Sequence, residues 1–182
     1  MVKYLVYLIF RFLVFLAYEA YRLEGINALL LIMPAKLIVP TLRKYGATIG
    51  ENAIIHSPLV IHNAGDSYAN LILGNDVYFG RAVFLDLKDK ITIGDRATLS
   101  MKVTLLTHTD VGESSLKKSF PPSHSPVSIG CDTYLGANVT VLEGVRIGES
   151  AMIGACSLAK ENVAPHTVAA GVPAGEIKKL NV

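Results

Sequence analysis

Two histidines in one polar stretch are the residues of this chain best placed to do acid–base chemistry. His108 and His124 both lie in residues 106–126, which read LTHTDVGESSLKKSFPPSHSP. A neutral imidazole has a pKa of about 6.5 and can take a proton from a hydroxyl group near physiological pH. This stretch is therefore the first candidate site.

The other residues able to do chemistry have less support from their neighbours in sequence. His56 and His62 lie in an earlier irregular stretch, residues 56–70, and are predicted to be surface residues or contacts to a substrate. His166 is predicted to be structural. Cys131 and Cys156 have no basic residue beside them that would activate a thiol. They are predicted to be reduced thiols without a nucleophilic role.

Both irregular stretches interrupt a six-residue repeat that predicts the fold. The repeated positions hold Ile49; Leu73, Phe79 and Leu85; Ile93, Leu99 and Leu105; and Ile129, Leu135, Val141, Ile147 and Ile153. A period of six does not match an α-helix, and self-similarity at a short fixed period is typical of a solenoid. Three repeats are predicted to close one triangular coil, with the repeated side chains stacked in a buried column.

Glycine directly follows the repeated residue in many copies. A small or β-branched residue stands four positions after the repeated residue. Gly136 after Leu135 and Val139 in the same copy are one example. The glycine is predicted to take a positive φ where the chain bends, and the small residue to point inward near a corner. The sequence thus predicts an all-β solenoid over residues 46–182, with residues 106–126 as a protruding loop.

The composition agrees with a buried core in one domain. The chain has 182 residues, of which 51% are hydrophobic, and a formal net charge of +2. This hydrophobicity excludes intrinsic disorder, and two cysteines cannot support a disulfide scaffold. The length is sufficient for one continuous core with an appendage.

Residues 1–45 form an apolar and basic head. They carry six basic and two acidic residues, whereas the rest of the chain is mildly acidic and has no basic stripe that would predict binding to nucleic acid. The run from Tyr4 to Tyr18 has Arg11 as its only charged residue. This run is too short for a full membrane span, and a central arginine makes such a span costly.

Helical spacing divides the head into two faces. One face carries Tyr4, Tyr7, Arg11, Tyr18 and Arg22, and the opposite face is aliphatic. This pattern predicts an amphipathic helix that lies in the membrane interface. A helix bundle between subunits, a true span and a cleaved signal peptide are the alternatives.

The chain resembles the hexapeptide-repeat acyltransferases, and most closely their sugar and polysaccharide O-acetyltransferase branch. The resemblance is carried by the hexads IGCDTY-LGANVT-VLEGVR-IGESAM-IGACSL, the histidine-bearing insertion after VTLLTH and the terminal AAGVPAGEIKKL. It implies a left-handed parallel β-helix and a homotrimer. It also implies that acetyl-coenzyme A is the acyl donor, bound between neighbouring β-helices, and that no metal is required.

The resemblance also implies roles for individual residues. His108 matches the catalytic histidine, which acts as a general base while a sugar hydroxyl attacks the thioester directly; Asp110 is a candidate to orient it. Apart from the family pattern, Lys102 and His124 are candidate substrate contacts, and a loop or subunit-contact role is the alternative for His124. The residues predicted to bind the coenzyme are Tyr134, Gly136, Ala137, Gly154, Ala155, Lys160 and Lys178.

These features predict an enzyme that O-acetylates a surface polysaccharide or lipid-linked glycan. The reaction is expected at the cytoplasmic face of the cell membrane, with residues 1–42 on the membrane surface. Lys102 stands where galactoside-type members have asparagine, and the apolar head replaces their helical substrate cap. A small free sugar is therefore not the expected acceptor. The alternatives are a non-catalytic membrane-anchored scaffold and a zinc enzyme like a carbonic anhydrase, which needs three converging histidines.

Overall fold

Two helices precede the strands of the protein. The structure, a computed structural model, describes residues 2–181, with side chains from Leu5 onward. The helices are α1 (Val2–Leu30) and α2 (Ala35–Lys44), and α1 is broken at Arg22, where φ is 53° and ψ is −139°. Within the described residues, no helix has both the length and the apolar character needed to cross a membrane.

Nineteen short strands follow in the described part of the chain. They are β1 (Thr48–Ile49), β2 (Ile54–Ile55), β3 (Leu59–His62), β4 (Leu71–Leu73), β5 (Tyr78–Phe79), β6 (Val83–Asp86), β7 (Ile91–Ile93), β8 (Thr98–Leu99), β9 (Thr104–Leu105), β10 (His108–Thr109), β11 (Ser123–His124), β12 (Val127–Ile129), β13 (Tyr134–Leu135), β14 (Thr140–Val141), β15 (Arg146–Ile147), β16 (Met152–Ile153), β17 (Leu158–Ala159), β18 (Thr167–Gly171) and β19 (Ala174–Lys179).

The strands form three parallel sheets, and each coil contributes one strand to each sheet. The first sheet has the order β1-β4-β7-β12-β15, the second β2-β5-β8-β13-β16-β18 and the third β3-β6-β9-β14-β17. β19 adds to β18 in antiparallel orientation, and β10 and β11 pair separately. The predicted parallel β-solenoid is confirmed.

The repeated residues of the hexads form the core of the solenoid. All of them are buried, and they stack in register, as Ile93 does on Ile129 and Leu99 on Leu135. The small residues four positions later, such as Val139, are also buried. Burial of an aliphatic column is the main favourable contribution to folding in such a coil.

The glycines of the repeat have a different role from the predicted one. In the described chain positive φ falls two residues after the glycine position, at residues such as Asn52, Asp76 and Asp132, and not at the repeat glycines. A Cβ on Gly136 would lie 2.6 Å from the backbone nitrogen of Ala155 in the next coil. Glycine is required because neighbouring coils pass too close for a side chain, and the prediction of positive φ there is wrong.

The helices cover the first coil and share its core. Leu23 and Ile26 in α1 and Ile38 in α2 are fully or almost fully buried in the same hydrophobic cluster as the coils. The hydroxyl of Tyr68 donates to the side-chain oxygen of Asn27 at 2.8 Å, which ties α1 to the chain that leads into the second coil. The chain therefore passes from helices to strands near residue 45, and both parts share one continuous hydrophobic core.

The first half of α1 packs on the protein through a narrow stripe. Val14 is buried, and Phe10 and Tyr18 are partly buried against the core. The Tyr18 ring lies 4.5 Å from the ring of Tyr45, centroid to centroid. Tyr18 thus faces the protein, whereas it was predicted to lie on the face of the helix at the level of the lipid headgroups. The side chain of Tyr4 lies outside the described residues.

Candidate active site

His108 lies at the base of the protruding loop, where the loop leaves the third coil. β10 and β11 close this base as an antiparallel pair with His108 opposite His124, and a short 3₁₀ helix (Ser115–Lys118) lies between them. The imidazole of His108 is 29% exposed. It is therefore held by the protein on one side and open to a ligand on the other.

The carboxylate of Asp86 fixes the orientation of His108. The Nδ1–H group of His108 donates to Oδ2 of Asp86 at 2.5 Å, and the Asp86 side chain is 1% exposed. With its proton on Nδ1, a neutral imidazole carries its lone pair on Nε2. This arrangement leaves Nε2 as the proton-accepting nitrogen of the ring, and the side-chain amide nitrogen of Asn63 lies 3.5 Å from it.

Asp86 is held by residues from the coils on both sides. The side-chain amide of Asn63 donates to Oδ1 at 2.8 Å, and the backbone N–H of Thr107 donates to Oδ2 at 3.0 Å. Burial alone raises the pKa of Asp86, but the hydrogen bonds from His108, Asn63 and Thr107 outweigh it and hold the pKa below its ordinary value. Asp86 is therefore an anion at neutral pH.

The stacking of the coils brings these residues together. Asn63 follows β3, Asp86 ends β6 and His108 comes three residues after β9, and these three strands are neighbours in one sheet. The residues are 23 and 22 positions apart in the chain. Each of the three residues lies one coil after the previous one. The distance between neighbouring strands of the sheet therefore sets the distance between their side chains.

Asp110 does not take the orienting role that the sequence assigned to it. Its Oδ1 accepts a hydrogen bond from the backbone N–H of Gly112 at 2.8 Å in an exposed turn, and the imidazole partner is Asp86. The sequence contained an indication that Asp86 has a special role. Asp86 directly follows the repeated Leu85, at a position where many other repeats have glycine.

His124 forms a second imidazole–carboxylate pair beside the first. Its Nδ1 lies 2.8 Å from Oδ2 of Asp89, and this hydrogen bond, together with one from the backbone N–H of Lys90, lowers the pKa of Asp89. The backbone N–H of Asp89 donates to the buried hydroxyl of Thr107 at 3.0 Å. Thr107 thus links the two pairs, and His124 remains a candidate acceptor contact.

The residues predicted to bind the pantetheine arm lie on one corner of two successive coils. Tyr134 is in β13, with Gly136 and Ala137 in the turn after it, and Ala155 lies directly above in the next coil. The backbone N–H of Cys156 donates to the carbonyl of Ala137 at 2.9 Å across this corner. Gly154 packs in the same way, since a Cβ there would lie 2.8 Å from that of Ala170.

The predicted basic residues lie near the C-terminal end of the solenoid. The ammonium of Lys160 is 3.4 Å from the carboxylate of Glu161. Lys179 is occupied by Glu176 at 3.0 Å and by the Thr167 hydroxyl at 2.8 Å, whereas Lys178 is exposed and forms no salt bridge within the described residues. Lys178 is thus the better candidate of that pair to meet a phosphate.

Lys102 lies on the corner that carries the predicted coenzyme residues. Its backbone N–H donates to the carbonyl of Arg81, and the neighbouring Met101 carbonyl accepts from Asn138. β9 separates Lys102 from His108. Within one chain, Lys102 therefore lies with the coenzyme corner and not with the imidazole.

The candidate site of this chain is built for proton transfer. Among the described residues, no group of three or more histidine, cysteine, aspartate or glutamate side chains could hold a metal ion. Both cysteines are free thiols. The site consists of an oriented imidazole with a buried carboxylate partner.

The depressed pKa of Asp86 predicts a pH-dependent contribution to stability. Because the folded-state pKa lies below the unfolded value, ionisation of Asp86 stabilises the fold above about pH 4, and this contribution is lost as pH falls through the folded pKa. We expect Asp86→Asn to lower the free energy of unfolding at neutral pH and to differ less from the parent in strong acid. Urea unfolding at both pH values checks this; an equal difference at both would contradict it.

Comparison with known sequences relates the chain to bacterial transferases. The family model described as bacterial transferase hexapeptide (six repeats) matches residues 126–158. The chain is 32% identical over 136 residues to the galactoside O-acetyltransferase of Escherichia coli K12, covering 74% of this chain and 64% of the relative. It is 34% identical over 146 residues to the enzyme of the same name from Lactococcus lactis, covering 77% and 66%. The chain thus spans just under two thirds of each relative.

Comparison with solved structures gives the same fold. A galactoside acetyltransferase in complex with coenzyme A superposes with a TM-score of 0.69 at 25% sequence identity, covering 87% of this chain and 78% of that one. The shared region includes most of the solenoid described above.

Proposed function

The chain belongs to the hexapeptide-repeat acyltransferase family, in its sugar O-acetyltransferase branch, and from this premise we propose that it transfers the acetyl group of acetyl-coenzyme A to a sugar hydroxyl. The observation that carries the proposal is the hydrogen bond from His108 Nδ1 to the buried carboxylate of Asp86. It leaves Nε2 as the basic nitrogen of a partly exposed imidazole, as the reaction requires.

The reaction is a direct transfer with His108 as general base. Nε2 takes the proton of the acceptor hydroxyl while the hydroxyl oxygen attacks the thioester carbonyl carbon. The tetrahedral intermediate collapses with cleavage of the carbon–sulfur bond, and the imidazolium returns its proton to the coenzyme A thiolate. A backbone N–H stabilises the oxyanion, and Asp86 stabilises the transient imidazolium.

The residues of the coenzyme corner fit a thioester donor. Ala137 and Ala155 have short side chains on adjacent coils, so an extended pantetheine arm can lie along the backbone between them. Tyr134 is partly exposed beside this path, and Lys160 and Lys178 supply positive charge for the nucleotide phosphates.

A second copy of the chain is needed to complete this site. His108 follows the strand of the third sheet, whereas Tyr134 and Ala137 lie at the corner between the second and third sheets. Different corners of one triangular coil point in different directions. A homotrimer, in which the His108 corner of one subunit faces the coenzyme corner of its neighbour, brings the two halves together.

The acceptor is a polysaccharide or lipid-linked glycan at the cytoplasmic face of the cell membrane. This part of the proposal rests on the head, which combines exposed apolar side chains with a net positive charge and covers the first coil. An enzyme held at the membrane meets acceptors that are themselves anchored there.

Labelled acetyl transfer tests this function. We expect the full chain, mixed with acetyl-coenzyme A carrying a deuterated acetyl group and with lipid-linked glycans from the source cells, to add one labelled acetyl group per modified sugar. Mass spectrometry of the glycan and release of the coenzyme thiol measure the two products. Absence of transfer to any glycan fraction, with coenzyme binding intact, would favour a non-catalytic scaffold.

A further inference from the structure

One face of the first half of α1 is an apolar ridge directed away from the protein. The ridge comprises Leu5, Leu8, Ile9, Phe12, Phe15 and Leu16, spaced at three and four residues, so they form one continuous stripe on the helix. Phe12 is 61% exposed and Phe15 is 50% exposed. The opposite stripe already packs on the core. This half of the helix is therefore apolar both toward the protein and away from it.

A cleft with a volume of about 310 Å³ lies between α1 and α2, and its residue Arg11 directly precedes Phe12 of the ridge in the helix. Its lining residues are Arg11, Val14, Leu37, Pro40, Thr41 and Lys44. Two of the six carry a positive charge, none is acidic, and the walls between the two charges are largely apolar. The volume is within the range of clefts that hold small organic ligands.

The two basic residues of the cleft form no ion pair in the part of the chain that the structure describes, and the Lys44 ammonium lies 5.1 Å from the centroid of the Tyr45 ring. Neither Arg11 nor Lys44 takes part in a salt bridge within the described residues, and both are exposed. Arg43, their neighbour, is already used: its guanidinium donates to the carbonyls of Ile49 and Gly50 at 3.0 and 2.6 Å. A guanidinium and an ammonium across an apolar floor match a phosphate group joined to hydrocarbon.

We propose that the cleft between α1 and α2 holds the phosphate of an anionic membrane lipid while the apolar ridge of α1 inserts into the bilayer. Charge complementarity commits the site to a lipid: the cleft supplies the cations, and the adjacent ridge needs a hydrocarbon phase that a soluble phosphate compound lacks. The inference rests on the membrane attachment proposed above, and it specifies the lipid chemistry and the residues that recognise it.

α1 also reaches the strand that leads to the catalytic pair. The helix as a whole contacts β3, and Asn63, the residue that follows β3, donates to Asp86. The kink at Arg22 separates the half of α1 that carries the ridge from the half that holds Leu23 and Ile26 in the core.

Vesicle binding by the full chain tests the proposal. The probes are vesicles of phosphatidylcholine alone and vesicles of equal parts phosphatidylcholine and phosphatidylglycerol, and co-sedimentation measures the partition coefficient. We expect stronger binding to the anionic vesicles, with Arg11→Gln and Lys44→Gln each lowering it by about fivefold. The matched control is Lys36→Gln, which removes the same charge from α2 outside the cleft and should change binding by less than about twofold.

The ridge needs its own variants. Phe12→Ser combined with Phe15→Ser should reduce binding to both kinds of vesicle, while Phe120→Ser, which removes an equally exposed aromatic ring from the loop, should not. Thermal unfolding confirms that each variant folds. If the phenylalanines have no effect while the basic residues still matter, the protein binds lipid headgroups without inserting the ridge, and the proposed insertion into the bilayer is wrong.

Two further outcomes show which claim fails. Equal losses of vesicle binding for Lys36→Gln and Lys44→Gln contradict a phosphate site in the cleft but agree with membrane attachment. Failure to bind any vesicle contradicts both the phosphate site and membrane attachment. His108→Ala should bind vesicles like the parent, so a failure of acetyl transfer is distinguishable from a failure of docking.

Discussion

Replacement of His108 by alanine should lower kcat for acetyl transfer by about 10²–10⁴-fold, the range for loss of a general base. The reason is the position of Nε2, which the Asp86 hydrogen bond leaves unprotonated on a partly exposed imidazole. Without it the acceptor hydroxyl must attack while still protonated. The loss corresponds to about 2.7–5.5 kcal/mol of transition-state stabilisation. Release of coenzyme A thiol under saturating substrates measures it.

His124→Ala is the matched control for this result. His124 lies opposite His108 in the same hairpin, is bonded to Asp89, and is more exposed. As a candidate acceptor contact it should affect KM for the glycan more than kcat. Coenzyme binding should survive in both variants. If His108→Ala retains kcat within about threefold, a general-base role is excluded, because such a base contributes at least about a hundredfold.

Replacement of Asp86 by asparagine should have the second largest effect, a loss of kcat of about 10²-fold or more. Asparagine keeps the shape, but its amide can donate to Nδ1 of His108 and so favour the tautomer that carries the proton on Nε2. That tautomer cannot accept a proton from the acceptor. Loss of the negative charge also removes the stabilisation of the imidazolium.

The kinetic readout distinguishes this role from a merely structural one. A tautomer change should lower kcat at nearly constant KM for acetyl-coenzyme A and alter the pH profile of kcat. Asp110→Asn is the control, because Asp110 bonds only the backbone of its own turn, and it should leave kcat close to the parent value. A loss with Asp110→Asn equal to that with Asp86→Asn would show that His108 is reoriented during the reaction.

The sequence predicts the solenoid well because its period is local. Each hexad places one large apolar side chain inward, and a residue such as Leu135 is buried whatever the loops do. The role of glycine was harder to predict. Gly136 is constrained by Ala155 of the next coil, 19 positions away in sequence, and a contact of that kind is not visible in a six-residue pattern.

The candidate site was only half predictable, for the same reason. The loop insertion and the resemblance indicate His108, but its partner depends on which coil lies beneath it. Asp110 is near in sequence, whereas Asp86 is near in space because β6 and β9 are adjacent strands. The available indication was that Asp86, a charged residue, stands at a repeat position where glycine is common.

The head was predictable in composition but not in orientation. Helical spacing gave a face with Tyr18 and Arg11 and an opposite aliphatic face, but it did not show which of the two packs on the core. The contact of Tyr18 with Tyr45 decides this and leaves Phe12 and Phe15 outside. Only a structure that includes α2 and the first coil could separate the two stripes.

Each of three successive coils contributes one residue to the site, and this limits where the solenoid can gain or lose a coil. Asn63, Asp86 and His108 occupy three consecutive coils at the N-terminal end. Duplication or loss of a whole coil after β12 would lengthen or shorten the solenoid and leave this triplet intact. The same event between β3 and β9 would replace one member of the triplet. The first three coils are therefore expected to stay fixed in number among descendants of this chain.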